Sequence, residues 1–257
     1  MRILLISTFV INFGVIRFDI INFDIIRFDF FKERSKMTPL SPPIIYINNM
    51  TATDFNRHHS AVDMQNITDF LLELDALKHV KRRNHITQHD SELMRVENSA
   101  EHSWHLAMAC WAIAERFDLD VNHEQLLKMA LVHDLGEIDA GDTFLYASSR
   151  SDAHIKQRDG IKRLQGCQGN AIHDLSAIWE AQETGTSAEA QLLRVVDRLL
   201  PFLLNLNTNG KTWIELGIKR SQVTTAHAFI KDSFPMVHAW LALQIEYATE
   251  QGWLIDG

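Results

Sequence analysis

Apolar residues recur three and four positions apart through most of the chain after about residue 62, a spacing that predicts helices. The first such run contains Ile67, Phe70, Leu71, Leu74 and Leu77. Further helices are predicted over 99–117, 124–137, 152–165, 173–183, 188–206, 220–231 and 235–250. The stretch 78–97 is polar and predicts a loop, and no alternating pattern typical of a strand follows residue 50. The pattern therefore predicts an all-α fold, an irregular helical bundle.

The first 36 residues follow a different pattern, which reads in fives as VINFG, VIRFD, IINFD, IIRFD and FFKER. It is compatible with one coil of a β-solenoid, although so few units cannot bury a core alone. It is also compatible with a secretory leader, although no small-residue cleavage site is evident. We favour an upstream extension, with Met37, Met50 or Met64 as the true start, because aspartates interrupt any span of membrane-helix length. Residues 1–61 are thus predicted to be an irregular extension and linker, and 62–257 a single helical domain.

Composition narrows the classes of function. The 257 residues are 46% apolar, which is enough for one domain with a substantial core. The formal net charge is -8, so no general attraction to a nucleic acid polymer or an anionic membrane is expected. Any bound phosphate must then be held by a local cluster. The two cysteines, Cys110 and Cys167, form neither a disulfide framework nor a metal-binding CxxC motif, which favours a cytoplasmic location.

Ionisable residues interrupt helices that are otherwise apolar. His133 and Asp134 directly follow the sequence MALV, and Asp197 lies within LLRVVDRLL. Burying an unpaired carboxylate costs several kcal/mol, on the order of 2–7 for a neutral polar group and more for a charge. A divalent cation would satisfy such groups, since imidazole and carboxylate are both good ligands. His102, one turn into its predicted helix, is expected to face the same interior.

Further acids follow the histidine–aspartate pair. Glu137 lies four residues after His133, so both share a helical face if the helix continues that far. Glu137 could then act as a general acid or base. Gly141 can end the helix and turn the chain, which would bring Asp142 over the same pocket. From spacing alone, this run is equally compatible with an acidic helix end, and Asp197 with a surface or interface ion pair to Arg194 or Arg198.

The order of these residues resembles the H…HD…D pattern of the HD superfamily of metal-dependent phosphohydrolases. The surrounding sequence is similar to the branch that acts as 5'-deoxynucleotidases. The matching motifs are RVENSAEHS at 95–103, KMALVHD at 128–134, EIDAGD at 137–142, IWEAQET at 178–184 and SAEAQLLRVVD at 187–197. The similarity covers roughly residues 65–205 and implies an HD-type helical bundle.

The resemblance implies ligands for one divalent metal ion and an acid beside it. The ligands are His102, His133, Asp134 and Asp197, and Glu137 matches the acidic residue that assists the attacking water. Mixed imidazole and carboxylate ligands admit manganese, cobalt, zinc, iron or magnesium.

The resemblance also implies residues that contact the substrate. Asp142 matches an acid near the sugar. The family's basic loop before the first histidine supplies an arginine that binds phosphate. In this chain the loop at 81–95 departs from the pattern because it lacks an arginine–tryptophan pair, so Arg82, Arg83 and Arg95 are all candidates.

The implied activity is hydrolysis of a (deoxy)nucleoside 5'-monophosphate, with this small nucleotide as the partner. One alternative keeps the site but changes the substrate to a cyclic nucleotide, a triphosphate or an alarmone. Another is a nucleotide sensor without catalysis. The apolar positions of the last predicted helix are compatible with core packing or with an interface, for example in a homodimer.

Overall fold

The computed structural model describes residues 9–11, 14–20, 26–30, 60–87, 94–146 and 151–256. Contacts along the chain divide it into two compact units, 1–60 and 61–257. That residues 1–61 lie outside the functional fold stays a prediction.

The first unit contains three antiparallel strands in the order β1-β2-β3. The strands are β1 (Phe9–Ile11), β2 (Gly14–Ile20) and β3 (Ile26–Phe30). The register places Val10 opposite Val15 and Phe18 opposite Phe28. Isoleucine, valine and phenylalanine dominate these segments, and such residues favour strands. The described part of the predicted extension is therefore a small sheet.

The second unit is built mainly of helices, which confirms the all-α class. They are α1 (Ala61–Asp75), α2 (Ser99–Arg116), α3 (His123–Val132), α4 (Glu137–Ala140), α5 (Ser151–Gln165), α6 (Leu175–Thr184), α7 (Ala188–Asn207), α8 (Lys211–Leu216), α9 (Arg220–His227), α10 (Ile230–Ser233) and α11 (Pro235–Glu250). A 3₁₀ turn, Ala76–His79, follows α1. None of the helices in the described ranges is long and apolar enough to span a bilayer.

A two-stranded hairpin lies between α1 and α2, where the sequence predicted a loop over 78–97. Its strands are β4 (Lys81–Thr87) and β5 (Met94–Asn98). They are antiparallel, with Lys81 opposite Asn98 and an irregularity just beyond this pair. The loop prediction was wrong because these strands carry many charged residues and no regular apolar alternation. The hairpin brings Arg82 and Glu97 to the start of α2.

Helix α3 ends at Val132, earlier than the predicted end at 137. Residues 133–136 form turns, and Glu137 begins the separate short helix α4. His133 and Glu137 therefore do not share the face of one continuous helix. The relative position of these two side chains is set by the turn and not by the 3.6-residue period of a helix.

Gly136, in the turn between α3 and α4, packs directly against α5. A Cβ atom at this position would lie 2.6 Å from the carbonyl oxygen of Gln157. Real Cβ atoms do not approach a backbone oxygen so closely, so a larger residue would push the turn and α5 apart. The glycine thus permits the close packing that holds the turn in place.

Three clusters of buried apolar side chains form the core of the second unit. The first joins α2, α3 and α7 around Leu106, Leu126 and Leu193. The second includes Phe202 of α7 with residues of α9 and α11. The third joins α1, α5 and α6 around residues that include Trp179. Because α7 contributes to two clusters, it runs through the interior of the unit.

Helix α7 contains a proline, Pro201, in its interior. Proline has no amide hydrogen, so the carbonyl group of Asp197 receives no helical hydrogen bond from position 201. The carbonyl oxygen of Pro201 accepts hydrogen bonds from Asn84 Nδ2 at 3.2 Å and from Asn205 Nδ2 at 3.0 Å. Since Asn84 lies on β4, this bond fixes the hairpin against α7.

The last helix, α11, has one face in the core and one face exposed. Leu241 and Ile245 are buried, whereas Met236, Leu243 and Tyr247 are exposed. The periodicity therefore reflects core packing on one side. Whether the exposed face forms a homodimer stays a prediction.

A candidate metal centre

Three of the predicted ligands converge inside the helical unit. Nε2 of His102 lies 3.1 Å from Oδ1 of Asp197, and Nε2 of His133 lies 3.8 Å from the same oxygen. One potential ligand atom from each of the three residues lies within 4.8 Å of the other two. Two imidazoles and a carboxylate are a donor set that divalent transition metals accept, so the residues fit such an ion.

The start of α2 sets the position of His102. The side chain of Asn98 accepts a hydrogen bond from the Glu101 amide at 3.0 Å, and Glu101 Oε2 accepts one from the Asn98 amide at 3.2 Å. This reciprocal pair is a capping box, which fixes where a helix begins. His102 follows in the first turn and is 0% exposed. The inward orientation predicted for it is therefore observed.

Asp197 is held with each oxygen directed to different partners. Oδ1 faces His102 and His133, whereas Oδ2 accepts a hydrogen bond from Arg198 Nη1 at 2.7 Å. Burial alone would raise the pKa of this carboxyl group, but the charges of Arg198 and His133 and the bond to His102 hold it well below its usual range. The carboxylate is therefore ionised, as a metal ligand must be.

Asp134 lies beside these three residues but contacts other groups. Its Oδ1 is 2.5 Å from Nδ1 of His133, and its Oδ2 is 3.0 Å from Nη1 of Arg82. Burial would raise the pKa of Asp134, yet the charges of His133 and Arg82 lower it to about 2. The structure thus brings together three of the four predicted ligands and places Asp134 next to them. Its role as the fourth ligand stays a prediction.

Glu137 and Asp142 line the same cavity, which has a volume of about 380 Å³ and is also lined by His133, Asp134 and Asp197. Glu137 is buried, and its Oε2 accepts a hydrogen bond from Ser99 Oγ at 2.6 Å. Burial and the negative charge of Asp134 raise the pKa of Glu137 to about 9, against the opposing charge of Arg82. Burial also raises the pKa of Asp142.

The three candidate arginines occupy different places. Arg82 lies in the cavity, with Nη1 3.0 Å from Asp134 and 3.7 Å from Asp142. Arg83 is exposed and lines a neighbouring cavity of about 510 Å³. Arg95 pairs with Glu101 at 2.6 Å on the surface. Of these three, Arg82 alone is brought to the clustered histidines and aspartates.

Three further residues at the site were not predicted from the sequence to belong to it. Ser99 binds Glu137, Glu97 lies behind His102, and Arg198 binds Asp197. Ser99 and Glu97 belong to the motif RVENSAEHS, so the resemblance to the family could have pointed to both. Arg198 was considered only as a surface partner of Asp197, because nothing in the local sequence shows that both residues border a cavity.

Trp179 of α6 supports the turn that holds His133. Its Nε1 donates a hydrogen bond to the carbonyl oxygen of His133 at 3.1 Å, and the residue is 1% exposed. We expect Trp179→Phe to lower the free energy of unfolding by about 1–3 kcal/mol, because the buried carbonyl loses its donor. Urea denaturation measures this change. Trp111→Phe is the control, since Trp111 is 44% exposed and its Nε1 binds only Glu115. Equal stability of the two variants would contradict the supporting role.

The helical bundle brings two histidines and an aspartate together, with His102 and Asp197 buried and His133 half-buried, and helical proteins of this class build metal sites from side chains on facing helices. Residues 74–238 match the HD domain family, which is more than half of the chain. The chain belongs to the HD domain family, and the resemblance seen in the sequence is confirmed.

Individual relatives agree with this assignment. The 5'-deoxynucleotidase HDDC2 of Danio rerio is 28% identical over 138 residues, which are 53% of this chain and 66% of that protein. The protein of the same name from Homo sapiens is 25% identical over 136 residues, 52% of this chain and 64% of that protein. The match thus spans slightly less than two thirds of these relatives.

A solved structure is similar over a larger share of the chain. It is described as a predicted metal-dependent phosphohydrolase from Magnetospirillum magnetotacticum MS-1. The two proteins share 33% sequence identity with a TM-score of 0.65, and the similarity covers 75% of this chain and 95% of that one. Together with the His/Asp cluster, this relative supports a divalent metal ion as the cofactor.

Proposed function

We propose that this protein hydrolyses (deoxy)nucleoside 5'-monophosphates to a nucleoside and phosphate, with the help of a divalent metal ion. The observation that carries the proposal is the convergence of His102, His133 and Asp197 at a cavity that also contains Glu137 and Arg82. The name of the curated relatives, 5'-deoxynucleotidase, supports this substrate class.

The charges of the cavity explain why a cation is needed. Among the described residues, five carboxylates and three guanidinium groups line it; the acids are Asp134, Glu137, Asp142, Glu183 and Asp197, and the arginines are Arg82, Arg194 and Arg198. Glu137 holds a proton near neutral pH because its pKa is raised to about 9, so four carboxylates face three guanidinium groups, which leaves no net positive charge to hold a phosphate dianion. A positive ion at the cluster would reverse the local charge balance.

His102, His133 and Asp197 would hold the ion, and Asp134 is the proposed fourth ligand. When bound, a divalent ion lowers the pKa of water and offsets negative charge on the phosphoryl group. Manganese, cobalt, zinc, iron and magnesium are all compatible with these ligands.

Arg82 and Glu137 are proposed to supply the remaining chemistry, Arg82 as a cation that binds phosphate and Glu137 as a proton donor. Arg82 carries five N–H donors, and those not used by the neighbouring acids can bind phosphate oxygens. Glu137 holds a proton readily because burial and nearby acids raise its pKa to about 9. Such a group can orient water and move a proton toward the oxygen of the leaving nucleoside. Asp142, close to Arg82, is proposed to contact the sugar.

Phosphate release from a panel of nucleotides tests the proposal. The panel contains deoxy- and ribonucleoside 5'-monophosphates, a cyclic nucleotide and a triphosphate, each assayed with each of the five metals and after removal of metal. We expect release from deoxynucleoside monophosphates that depends on metal. No release from any monophosphate, with intact nucleotide binding, would instead support the sensor.

Exchanging arginine for lysine separates the candidates for phosphate binding. We expect Arg82→Lys to lower kcat/KM by about 10- to 100-fold, the equivalent of one charged hydrogen bond, because lysine lacks the forked geometry. Arg95→Lys should have little effect, since Arg95 pairs with Glu101 on the surface. Steady-state kinetics with a deoxynucleoside monophosphate measure both. A larger loss for Arg95→Lys would mean that another conformation of the hairpin binds substrate.

A further inference from the structure

Glu97 is a buried carboxylate that the proposed reaction does not use. It is 2% exposed and lies on β5, directly before Asn98, which caps α2. A buried charge is costly unless it is paired. Glu97 must therefore have partners that offset its burial.

One oxygen of Glu97 faces two groups of the candidate site. Its Oε2 lies 3.3 Å from Nε of Arg82 and 3.5 Å from Nδ1 of His102. All three atoms are buried, and none of them has a well-aligned hydrogen-bond partner. The two nitrogens are thus the groups that face this oxygen, and small rotations of the side chains would align both for hydrogen bonds to it.

The fold builds this contact from two local features. The hairpin pairs Lys81 with Asn98, and in the irregular stretch just beyond this pair the side chains of Arg82 and Glu97 come together, with Nε of Arg82 3.3 Å from Oε2 of Glu97. The capped start of α2 then places His102 one turn later, with Nδ1 toward Glu97 and Nε2 toward Asp197. The side chain of Glu97 therefore connects Arg82 of β4 with His102 of α2.

We propose that Glu97 is a positioning residue that orients His102 for the metal ion and Arg82 for the phosphate group at the same time. A carboxylate that accepts the proton on Nδ1 leaves the lone pair on Nε2 free to bind a cation. The same carboxylate anchors Nε of Arg82, while Nη1 contacts Asp134. The inference rests on the proposed metal site.

Metal affinity tests the part of the inference that concerns His102. Metal-free protein is titrated with Mn²⁺ by isothermal calorimetry, for the wild type, Glu97→Gln and Glu97→Ala. We expect the Kd to rise about tenfold for Gln and up to about 100-fold for Ala, the usual range for groups that orient a ligand. Glu246→Gln and Glu246→Ala are the controls, because Glu246 is an exposed glutamate of α11 that binds Arg220 and contacts none of the site residues. Their Kd should be unchanged.

Binding of inorganic phosphate tests the part that concerns Arg82. With Mn²⁺ saturating, Glu97→Gln should bind phosphate several-fold more weakly than the wild type, and Glu246→Gln should bind it as the wild type does. Weaker metal binding with unchanged phosphate binding would overturn the role toward Arg82.

Two further outcomes distinguish failure of this inference from failure of the proposed function. A lower melting temperature with unchanged Kd for Mn²⁺ and phosphate would mean that Glu97 only stabilises the fold, which overturns the inference alone. A wild-type protein that binds no Mn²⁺ or other divalent ion would overturn the proposed function as well. If Glu97→Ala does not fold, Glu97→Gln keeps the shape of the side chain and still decides.

Discussion

Asp197→Asn is expected to abolish binding of a divalent metal and to lower the rate of phosphate release by more than the roughly 100-fold that loss of an outer partner costs. Oδ1 of Asp197 faces both His102 and His133, so its negative charge lies at the centre of the cluster. Asparagine keeps the volume but removes this charge. Metal content by mass spectrometry and phosphate release measure the two effects.

The control for this variant is Asp139→Asn. Asp139 lies on α4, close in sequence to Glu137, but its carboxylate pairs with Arg163 at 2.7 Å outside the cavity. This variant should retain both metal and activity. If Asp197→Asn still bound one metal ion and turned over substrate, the metal site would have to lie elsewhere.

Glu137→Gln is expected to retain the metal and to lower kcat by about 10²- to 10⁴-fold, the usual contribution of a general acid or base. Glutamine keeps an oxygen that can accept the hydrogen bond from Ser99, so the local structure should persist. It cannot gain or lose the proton that the raised pKa of Glu137 favours. Single-turnover kinetics and metal analysis on the same sample separate chemistry from binding.

Ser99→Ala distinguishes positioning from proton transfer at the same residue. It removes the hydrogen bond to Glu137 but leaves the carboxyl group, so its loss of kcat should be smaller than that of Glu137→Gln. A Glu137→Gln variant with wild-type kcat would transfer the proposed role to another acid of the cavity, such as Asp142.

The helices were predictable where apolar spacing persists. The predicted bounds 235–250 agree with α11, and 188–206 agrees with α7 to within one residue. In both cases one face packs into the core, so the pattern and the structure have the same cause. The end of α3 at Val132 was not predictable, because the turn that follows it depends on the close packing of Gly136 against Gln157, a contact distant in sequence.

The candidate site was predictable through motifs and only in part through spacing. His102, His133 and Asp197 were found because ionisable residues interrupt apolar runs in an order that resembles a known family. Arg82 could not be separated from Arg83 and Arg95, since the choice depends on the register of a hairpin that was missed. The register of a strand pair follows a regular apolar pattern, which these charged strands lack.

Pro201 has a consequence for the neighbourhood of Asp197. The main-chain carbonyl of Asp197 lacks the hydrogen bond from the amide four residues later that a regular helix provides. Its peptide group is therefore free to tilt, while the side chain is held by His102, His133 and Arg198. We expect the carboxylate to adjust to small changes in ligand distance more easily than one on an uninterrupted helix. Within α7, the interrupted hydrogen bond therefore falls at the residue on which the cluster converges.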